Sequence, residues 1–378
     1  MKNEILQFYE EHKITTEHID EKNIAEYIRK RRNLYRQLGI PLLAIRDADI
    51  LEIGPGVGHN TVPLILDWHC RHIDLVEPNL VAVNGLKDAL SKMQVANECY
   101  RIFEMALEEF SEDKSYDMVI AEGYIHAVYN WKDTLKLIKK YTHQNSLVIV
   151  TCMDEFGTYV ENMKRLVGQY MVRSISGGLE EKVQFLSEAW KDSVESLPGM
   201  TRNISEWILD TVFNKAELCK NPMTMKCAVE EMQEDFDVLG ASQNIFVDYS
   251  WYKDLEYDYI ESYKNQYDEK KHTFLTAYDM TESIHSAEQN KRLGDAIKET
   301  FELIRQIEAE KNVDISDIYK SIDKVTANAD NRKIQIFDEE IKEILMEAKL
   351  GKDIDFSKYS AWNSTFGKSL QYISFQRR

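Results

Sequence analysis

The chain has 378 residues, more than one average domain needs, so a core domain with a second domain or large insertions is the first expectation. Hydrophobic residues make up 43% and charged residues 30%, as in ordinary globular proteins, and no run approaches the roughly 18 apolar residues of a membrane span. The formal net charge of −18 disfavours nucleic acid as a partner, because an acidic surface repels phosphates unless it carries a basic groove.

The amino-terminal segment and the cysteines indicate the compartment. Residues 1–13 are mixed and charged and lack the apolar stretch of a secretory signal, so we expect a cytoplasmic protein. The cysteines form no CxxC pair, which predicts reduced thiols in packing roles and no metal site. These cysteines are Cys70, Cys99, Cys152, Cys219 and Cys227.

Two helices are predicted ahead of the first strand, over residues 3–12 and 20–38. Gly39 ends the second helix, which carries the only dense basic run of the sequence, Arg29–Arg32. That run is short, so it is weak support for nucleic-acid binding. We expect residues 1–45 to form an N-terminal helical lid.

Short apolar runs then alternate with helical patterns. Strands are predicted at 49–53, 72–76, 100–105, 116–121 and 147–152, and helices at 60–69, 79–92 and 131–143. This alternation predicts βαβ units with right-handed crossovers, and therefore a parallel sheet with helices on both faces.

The second half of the chain is mainly helical in pattern. Helices are predicted at 157–173, 179–196, 203–219 and 223–234, and extended chain at 236–239 and 245–249. From 253 to about 350 the sequence is charged and helical, with one apolar stripe at helical spacing. The stripe consists of Leu293, Ile297, Phe301, Ile304 and Ile307. Residues 370–375 alternate apolar and polar side chains, which predicts a final strand.

A glycine-rich loop joins the first predicted strand to the next helix. Leu51–Gly58 reads Leu-Glu-Ile-Gly-Pro-Gly-Val-Gly, and glycines there let the backbone turn sharply and approach a ligand closely. The next strand ends in Glu77, whose carboxylate suits both hydroxyls of a ribose. His59 stands where a dinucleotide fingerprint has its last glycine, which disfavours NAD.

Residues 50–150 resemble the class I S-adenosylmethionine-dependent methyltransferases, whose first motif is acidic-x-Gly-x-Gly-x-Gly. Glu52–Gly58 matches this motif position for position. The resemblance implies S-adenosylmethionine as cofactor and an α/β fold, a doubly wound Rossmann-like sheet of seven strands with the last one antiparallel. More loosely, Arg32–Pro41 resembles bacterial methyltransferases from surface-polysaccharide gene clusters.

The resemblance also implies the cofactor-binding residues. The loop glycines line the methionine and ribose, Glu77 binds the ribose hydroxyls, and Pro78 and Asn79 flank the adenine. The family often has Asp where Ala106 stands, so the adenine amine here depends on main-chain carbonyls or a neighbouring glutamate. The expected set is Glu52, Gly54, Pro55, Gly56, Gly58, Glu77, Pro78, Asn79, Ala106, Leu107, Glu122 and Gly123.

The resemblance further implies how the sheet closes and where the domains divide. Residues 235–249 and 370–375 supply the antiparallel hairpin of the last two strands. The core is then 46–252 plus 366–378, with one helical insertion at 157–220 and a second at 253–365.

The acceptor side is predicted from the loop after the fourth strand. Methyl transfer is an in-line displacement at a sulfonium, so much of the catalysis is positioning. His126 is the candidate catalytic base for a hydroxyl acceptor, and the alternative is a packing or capping histidine. Tyr124 is placed to form a wall of the acceptor pocket.

The second predicted helix carries further candidates for the substrate side. Tyr27, Arg31 and Tyr35 lie about one helical turn apart, so this face could cover the cofactor and pair Arg31 with its carboxylate. The alternative is a solvated helix face.

A group of aromatic residues opens the large insertion. It suits a sugar or another polar ring, or else an ordinary core or dimer contact. Its members are Tyr249, Trp251, Tyr252, Tyr257, Tyr259 and Tyr263.

The sequence therefore predicts an S-adenosylmethionine-dependent methyltransferase that modifies an oxygen of a small-molecule or glycan-type acceptor. The helical insertions would shape the acceptor pocket or provide a homo-oligomer surface. Three alternatives remain. One is an aminopropyl transferase of related fold, which typically has Asp where Glu122-Gly123-Tyr124 stands. Another is a non-catalytic cofactor-binding or scaffold protein, and the third is an NAD-dependent oxidoreductase.

Overall fold

A computed structural model gives the fold of the chain in two compact units. It describes residues 4–12, 24–196, 200, 203–214, 218, 220–246, 250–254, 258–277 and 285–378. The sheet unit comprises Met1–Met153, Asn221–Tyr267 and Leu370–Arg378, and the helical unit comprises Asp154–Lys220 and Asp268–Ser369.

The sheet unit is built on seven strands. In chain order they are β1 (Asp49–Ile53), β2 (His72–Val76), β3 (Tyr100–Phe103), β4 (Tyr116–Ala121), β5 (Thr142–Cys152), β6 (Phe236–Ala241) and β7 (Gln371–Arg377). The sheet order is β3-β2-β1-β4-β5-β7-β6, with β7 antiparallel to both β5 and β6 and the other pairs parallel. The predicted fold class is confirmed.

The α-helices connect and flank these strands. In chain order they are α1 (Glu4–His12), α2 (Ile24–Gln37), α3 (Thr61–Leu66), α4 (Leu80–Lys92), α5 (Trp131–Lys140), α6 (Tyr159–Met171), α7 (Leu179–Glu195), α8 (Ile204–Ile208), α9 (Met225–Met232), α10 (Tyr259–Lys270), α11 (Ala287–Glu308), α12 (Ile315–Ala329) and α13 (Arg332–Lys349).

The strand directions place one edge of the sheet where ligands bind. The carboxyl ends of β1, β2, β4 and β5 meet at this edge, and β6 ends there too because it runs parallel to β5. In open α/β sheets this edge carries the ligand crevice. We call it the carboxyl edge.

The core of the sheet unit forms because its strands are almost continuously apolar. Ile50, Leu75 and Ile120 lie buried in one cluster with side chains from the flanking helices. From α2, Tyr35 and Leu38 join the same cluster and are fully buried. Helix α2 is therefore packed into the sheet unit by its own apolar face.

The helical unit buries its helices against each other. The apolar stripe predicted on α11 is buried along its length. On α6, Arg165 is buried; its Nε pairs with Glu308 and its Nη1 bonds the carbonyls of Thr211, at 3.2 Å, and Asn214, at 2.6 Å.

Two expectations differ from the structure in detail. In the described part of the helix expected over 203–219, the chain forms the short α8 and one π-helical turn, Leu209–Phe213, at whose end Arg165 bonds the carbonyls of Thr211 and Asn214. Residues 215–217 and 219 lie outside the described residues. The strand expected at 245–249 is absent where the chain is described: Ile245 and residue 246 form a turn, and 247–249 lie outside the described residues.

The compact units also divide the chain differently from the expected boundaries. Residues 157–220 and most of 253–365 fall together in the helical unit, whereas residues 1–45 fall in the sheet unit. The buried α2 face and the packing of α6 with α11 and α13 are the physical reason.

Candidate functional site

The glycine-rich loop turns at the carboxyl end of β1. Gly54, Gly56 and Gly58 have φ of 68°, 58° and 86°, a region that other residues rarely adopt. At Gly58 a Cβ atom would lie 2.4 Å from Cδ1 of the buried Leu86, so a side chain there would collide with α4. The loop is closed by the Gly58 amide donating to the Pro55 carbonyl at 3.0 Å.

Glu77 fastens this loop to the end of β2. Its side chain accepts the amide of Gly56 at 3.0 Å and that of Asn79 at 2.9 Å. Burial raises the pKa of Glu77, and these two bonds oppose that shift. A carboxylate has about four lone-pair positions. Two are used by the amides, so Glu77 retains acceptor capacity for a pair of hydroxyls.

The end of β3 lies beside Glu77. The Glu77 amide donates to the Phe103 carbonyl at 3.0 Å. Beyond it, Ala106 is half-buried and Leu107 is buried. The Asn79 side chain caps α4 by accepting the amides of Val81 and Ala82, while Pro78 is half-buried. Asn79 therefore fixes the start of α4 beside Glu77.

Glu52 supports the loop from below. It is buried in β1 and accepts the Thr61 hydroxyl at 2.6 Å, which holds the start of α3 against the strand. Burial raises the pKa of Glu52 to about 7, with nearby Glu122 and Glu77 adding to the shift. Glu52, the acidic residue of the motif, therefore supports the glycine loop through its contact with Thr61.

A buried polar chain joins α2 to the carboxyl edge. Arg31, only 6% exposed, donates from Nη2 to Glu122 at 2.7 Å. The other oxygen of Glu122 accepts Asn60 Nδ2 at 3.1 Å. The Asn60 carbonyl oxygen accepts the Tyr27 hydroxyl at 2.7 Å. This chain, Arg31–Glu122–Asn60–Tyr27, is called the α2 network.

The α2 network shows a partner of Arg31 that the sequence did not predict. Its guanidinium pairs with Glu122, and its helix face is buried, which excludes the solvated alternative. Within the described part of the chain, Nε of Arg31 is buried and has no hydrogen-bond partner. A buried N–H without an acceptor is costly, so this donor marks a place for an additional acceptor.

His126 lies in the turn after β4, inside the carboxyl edge. The side chain is buried, with Nδ1 3.0 Å from the Thr151 hydroxyl on β5. The same hydroxyl accepts the Gly123 amide at 2.9 Å. Tyr124 places its Cβ against the glycine loop, and burial raises the pKa of its hydroxyl to about 12. Tyr124 is therefore a neutral wall beside the loop.

Sequence reasoning missed two contributors to this side. Thr151 is a polar residue in an otherwise apolar strand end, a signal that could have identified it. Met223 has no such signal: its amide donates to the His126 carbonyl at 3.0 Å, and its carbonyl accepts the Met153 amide at 2.9 Å. The segment before α9 therefore ties together the chain after β4 and after β5.

The aromatic group after β6 is split. Trp251 and Tyr252 are 59% and 69% exposed, with Lys253 lying over both rings. Tyr263 instead packs on Phe246, with ring centroids 4.5 Å apart. Tyr259 contacts Tyr263, whereas Tyr249 and Tyr257 lie outside the described residues.

The basic run of α2 is engaged within the chain. Arg32 bonds Asp67 through Nε at 2.8 Å, and Lys30 pairs with Glu26 at 3.0 Å. With Arg31 on Glu122, three of the four cations of the run have carboxylate partners.

Comparisons with known proteins agree with this geometry. Residues 27–193 match the sequence model of a family described as methyltransferase domain. That match covers the glycine loop, Glu77, the α2 network and His126. The match confirms the methyltransferase recognised in the sequence over these residues, which are less than half of the chain. S-adenosylmethionine, the cofactor expected from the sequence, is the one that the methyltransferase family uses.

Individual proteins are similar over parts of the chain. A ribosomal RNA small subunit methyltransferase G from Aster yellows witches'-broom phytoplasma (strain AYWB) is 23% identical over 133 residues, covering 35% of this chain and 61% of the relative. The structure of PKMT2 from Rickettsia typhi in complex with AdoHcy has 16% identity and a TM-score of 0.42, covering 63% of this chain and 49% of that one.

A further solved structure is an S-adenosylmethionine-dependent methyltransferase from Clostridium acetobutylicum ATCC 824, with 11% identity and a TM-score of 0.29, covering 37% of this chain and 53% of that one. The chain thus spans less than two thirds of the length of each of these proteins. In the described part of the chain, no helix is long and apolar enough to cross a membrane.

The methyltransferase domain offers groups that fit its cofactor. Glu77 has acceptor capacity left for two ribose hydroxyls, the loop glycines permit close approach, and Arg31 Nε is a buried donor that a carboxylate would satisfy. These groups come from β1, β2 and α2 of the sheet unit.

Proposed function

We propose that this protein transfers the methyl group of S-adenosylmethionine to an oxygen atom of a small-molecule or glycan-type acceptor. The observation that carries the proposal is Glu77, fastened to the glycine loop with acceptor capacity to spare. Bound S-adenosylmethionine supplies a methyl group already activated on a sulfonium, so the protein has mainly to position the two reactants.

The cofactor would be held by residues of the carboxyl edge. Glu77 would bind the ribose hydroxyls, with Ala106 and Leu107 beside the adenine. Arg31 would use Nε for the methionine carboxylate while Nη2 stays on Glu122. In this assignment Glu52, Glu122 and Gly123 act by supporting the loop and α2.

The acceptor would lie on the β4–β5 side of the same edge. His126 is the proposed catalytic residue there, with Tyr124 as a pocket wall and Tyr27 on the α2 side. We further propose that residues 1–45 act as a lid, that the helical insertions provide a homo-oligomer contact, and that the protein is cytoplasmic.

Two other functions, methylation of nucleic acid and transfer of an aminopropyl group, are less well supported. The relative named for ribosomal RNA raises nucleic acid, but the net charge of −18 and the paired basic run oppose it. An aminopropyl transferase needs a carboxylate for an amine, and Glu122 is already bound by Arg31 and Asn60.

Calorimetry on the full chain tests the proposal most directly. S-adenosylmethionine and S-adenosylhomocysteine should both bind, and NAD should not. Absence of binding by the first two would overturn the proposal. If they bind, release of S-adenosylhomocysteine in a screen of hydroxyl, carboxylate, amine and RNA acceptors separates an enzyme from a non-catalytic binding protein and identifies the acceptor.

A further inference from the structure

Residues 221–223, just ahead of α9, offer main-chain atoms to three other parts of the sheet unit. We infer that Trp131, at the start of α5, is a positioning residue that holds this 221–223 segment against the turn that carries His126. The consequence for methyl transfer rests on the function proposed above, whereas the contacts and their effect on His126 do not.

Three hydrogen bonds fasten the 221–223 segment. The Met223 amide donates to the His126 carbonyl at 3.0 Å, and the Met223 carbonyl accepts the Met153 amide at 2.9 Å. The Asn221 carbonyl accepts the indole Nε1–H of Trp131 at 3.2 Å. The first two bonds join the chain after β4 to the chain after β5, and the third joins both to α5. Only the third is made by a side chain, so Trp131 is the place where a substitution can act on the segment.

Trp131 is itself held in place. Its side chain is buried, and its amide donates to the Val128 carbonyl at 3.3 Å, in the turn after β4. The next residue, Lys132, pairs with Glu231 of α9 at 3.2 Å, which joins α5 to the helix that follows the 221–223 segment. The indole N–H therefore reaches the segment from a helix that is fixed at its start.

The imidazole of His126 depends on this arrangement because its backbone and its ring are held separately. Its carbonyl is bound by Met223, and its Nδ1 lies 3.0 Å from the Thr151 hydroxyl on β5. The two contacts together limit where the ring can lie. Without the bond from Trp131, the 221–223 segment opens more often and the ring can shift. An in-line displacement depends on the placement of the reactants, so such a shift slows transfer to an acceptor bound beside His126.

The test compares two Trp→Phe substitutions in the full chain by hydrogen exchange and NMR. Trp131→Phe removes the bond to the 221–223 segment and keeps most of the ring volume. Exchange at the amides of Met223 and Met153, relative to the amides of β1, should become about threefold to tenfold faster, the factor expected when one hydrogen bond is lost. Trp68→Phe is the matched control and should leave these relative rates unchanged. Trp68 is also buried, but its Nε1 has no hydrogen-bond partner in the described part of the chain.

A second measurement reads the position of His126 itself. In protein with ¹³C-labelled histidine, the His126 ring signals are identified among those of the nine histidines by their loss in His126→Gln. They should shift in Trp131→Phe and keep their wild-type values in Trp68→Phe. Once an acceptor is identified, Trp131→Phe should lower kcat severalfold and leave the affinity for S-adenosylhomocysteine unchanged.

The possible results are distinct. Unchanged exchange at Met223 and Met153 in folded Trp131→Phe overturns the inference, as do wild-type His126 signals in that variant. If Trp131→Phe does not fold, the wild type decides: slow exchange of the Trp131 indole hydrogen and the Met223 amide supports the inference, and rapid exchange of either overturns it. Calorimetry with S-adenosylhomocysteine keeps the two proposals separate, because failed binding overturns the proposed function and leaves the exchange rates as measured.

Discussion

Arg31 in the sheet unit and Arg165 in the helical unit are both buried, yet they are held differently. Arg165 uses Nε on Glu308 and Nη1 on two main-chain carbonyls. Arg31 bonds one carboxylate, and its Nε has no partner in the described part of the chain. Burial of a charge is therefore no sign of a binding site by itself, and what supports the ligand contact proposed for Arg31 is its leftover Nε donor at the carboxyl edge.

Two buried carboxylic acids, one in each unit, can be compared in the same way. The pKa of Glu52 in the sheet unit and that of Asp338 in the helical unit are each raised by burial to about 7. Asp338 accepts the hydroxyls of Tyr159 and Thr326, both at 2.7 Å, inside the helical unit. Both acids accept hydroxyl groups of neighbouring side chains. Glu52 does so at the start of α3, next to the glycine loop, whereas Asp338 does so among helices of the helical unit.

The largest effect is expected from Arg165→Met. It leaves Glu308 and the carbonyls of Thr211 and Asn214 without their buried partner. The free energy of unfolding, measured by denaturant titration, should therefore fall by about 3–5 kcal/mol. Because all these partners lie in the helical unit, affinity for S-adenosylhomocysteine should stay unchanged in folded protein. Arg292→Met, exposed on the same unit, is the control and should change neither quantity.

Arg31→Met is the counterpart in the sheet unit. It removes the donor we assign to the cofactor carboxylate, so affinity for S-adenosylhomocysteine should fall roughly tenfold or more, as when a charge-assisted hydrogen bond is lost. An affinity equal to that of Arg165→Met would remove the distinction between the two arginines.

The buried acids give a pH-dependent prediction. Since the pKa of Glu52 is raised by folding from 4.5 to about 7, the contribution of Glu52 to stability is full at low pH and declines as pH rises through this range. Glu52→Gln cannot ionise, so from pH 5 to pH 8 its stability relative to wild type should rise by about 2.5 kcal/mol. Denaturant titrations at several pH values measure this difference.

Asp338→Asn is the matched control for that experiment. Its stability should follow pH in the same direction, because the pKa of Asp338 is also raised. Only Glu52→Gln should alter ligand affinity, since it alone borders the glycine loop through Thr61. A ligand effect of equal size in both variants would contradict the structural assignment of Asp338.

The difference between the units also explains what the sequence could predict. The sheet and its ligand loop could be predicted from the sequence because the apolar strands, Gly54–Gly58 and Glu77 form local patterns with fixed spacing. Contacts between distant segments could not be predicted, because no local pattern marks them. Arg31, for example, bonds Glu122, which lies 91 positions further along the chain. Met223 reaches His126 by main-chain atoms, which leave no trace in residue type.

A smaller effect is expected from Glu77→Gln. The amide nitrogen of Gln would face one of the backbone amides that now donate to Glu77, which weakens the loop contact and the ribose contact together. Affinity for S-adenosylhomocysteine should fall by about 1–3 kcal/mol, or roughly 5–150-fold, in calorimetry. Glu112→Gln, on the surface of the sheet unit and paired with Arg101, is the control and should bind as wild type.

The smallest effect is expected from Tyr27→Phe. This variant tests whether Tyr27 of α2 supports the binding site or contacts the ligand itself. Tyr27→Phe removes the hydroxyl that bonds Asn60 and leaves its carbonyl oxygen without that donor. This should lower stability by about 1 kcal/mol and weaken S-adenosylhomocysteine by a similar amount, because Asn60 in turn holds Glu122 and so Arg31. If Tyr27→Phe and Arg31→Met act through the same network, their combined effect on affinity should be smaller than the sum of the two. Strict additivity would mean that Tyr27 touches the ligand independently, as first expected from the helix pattern.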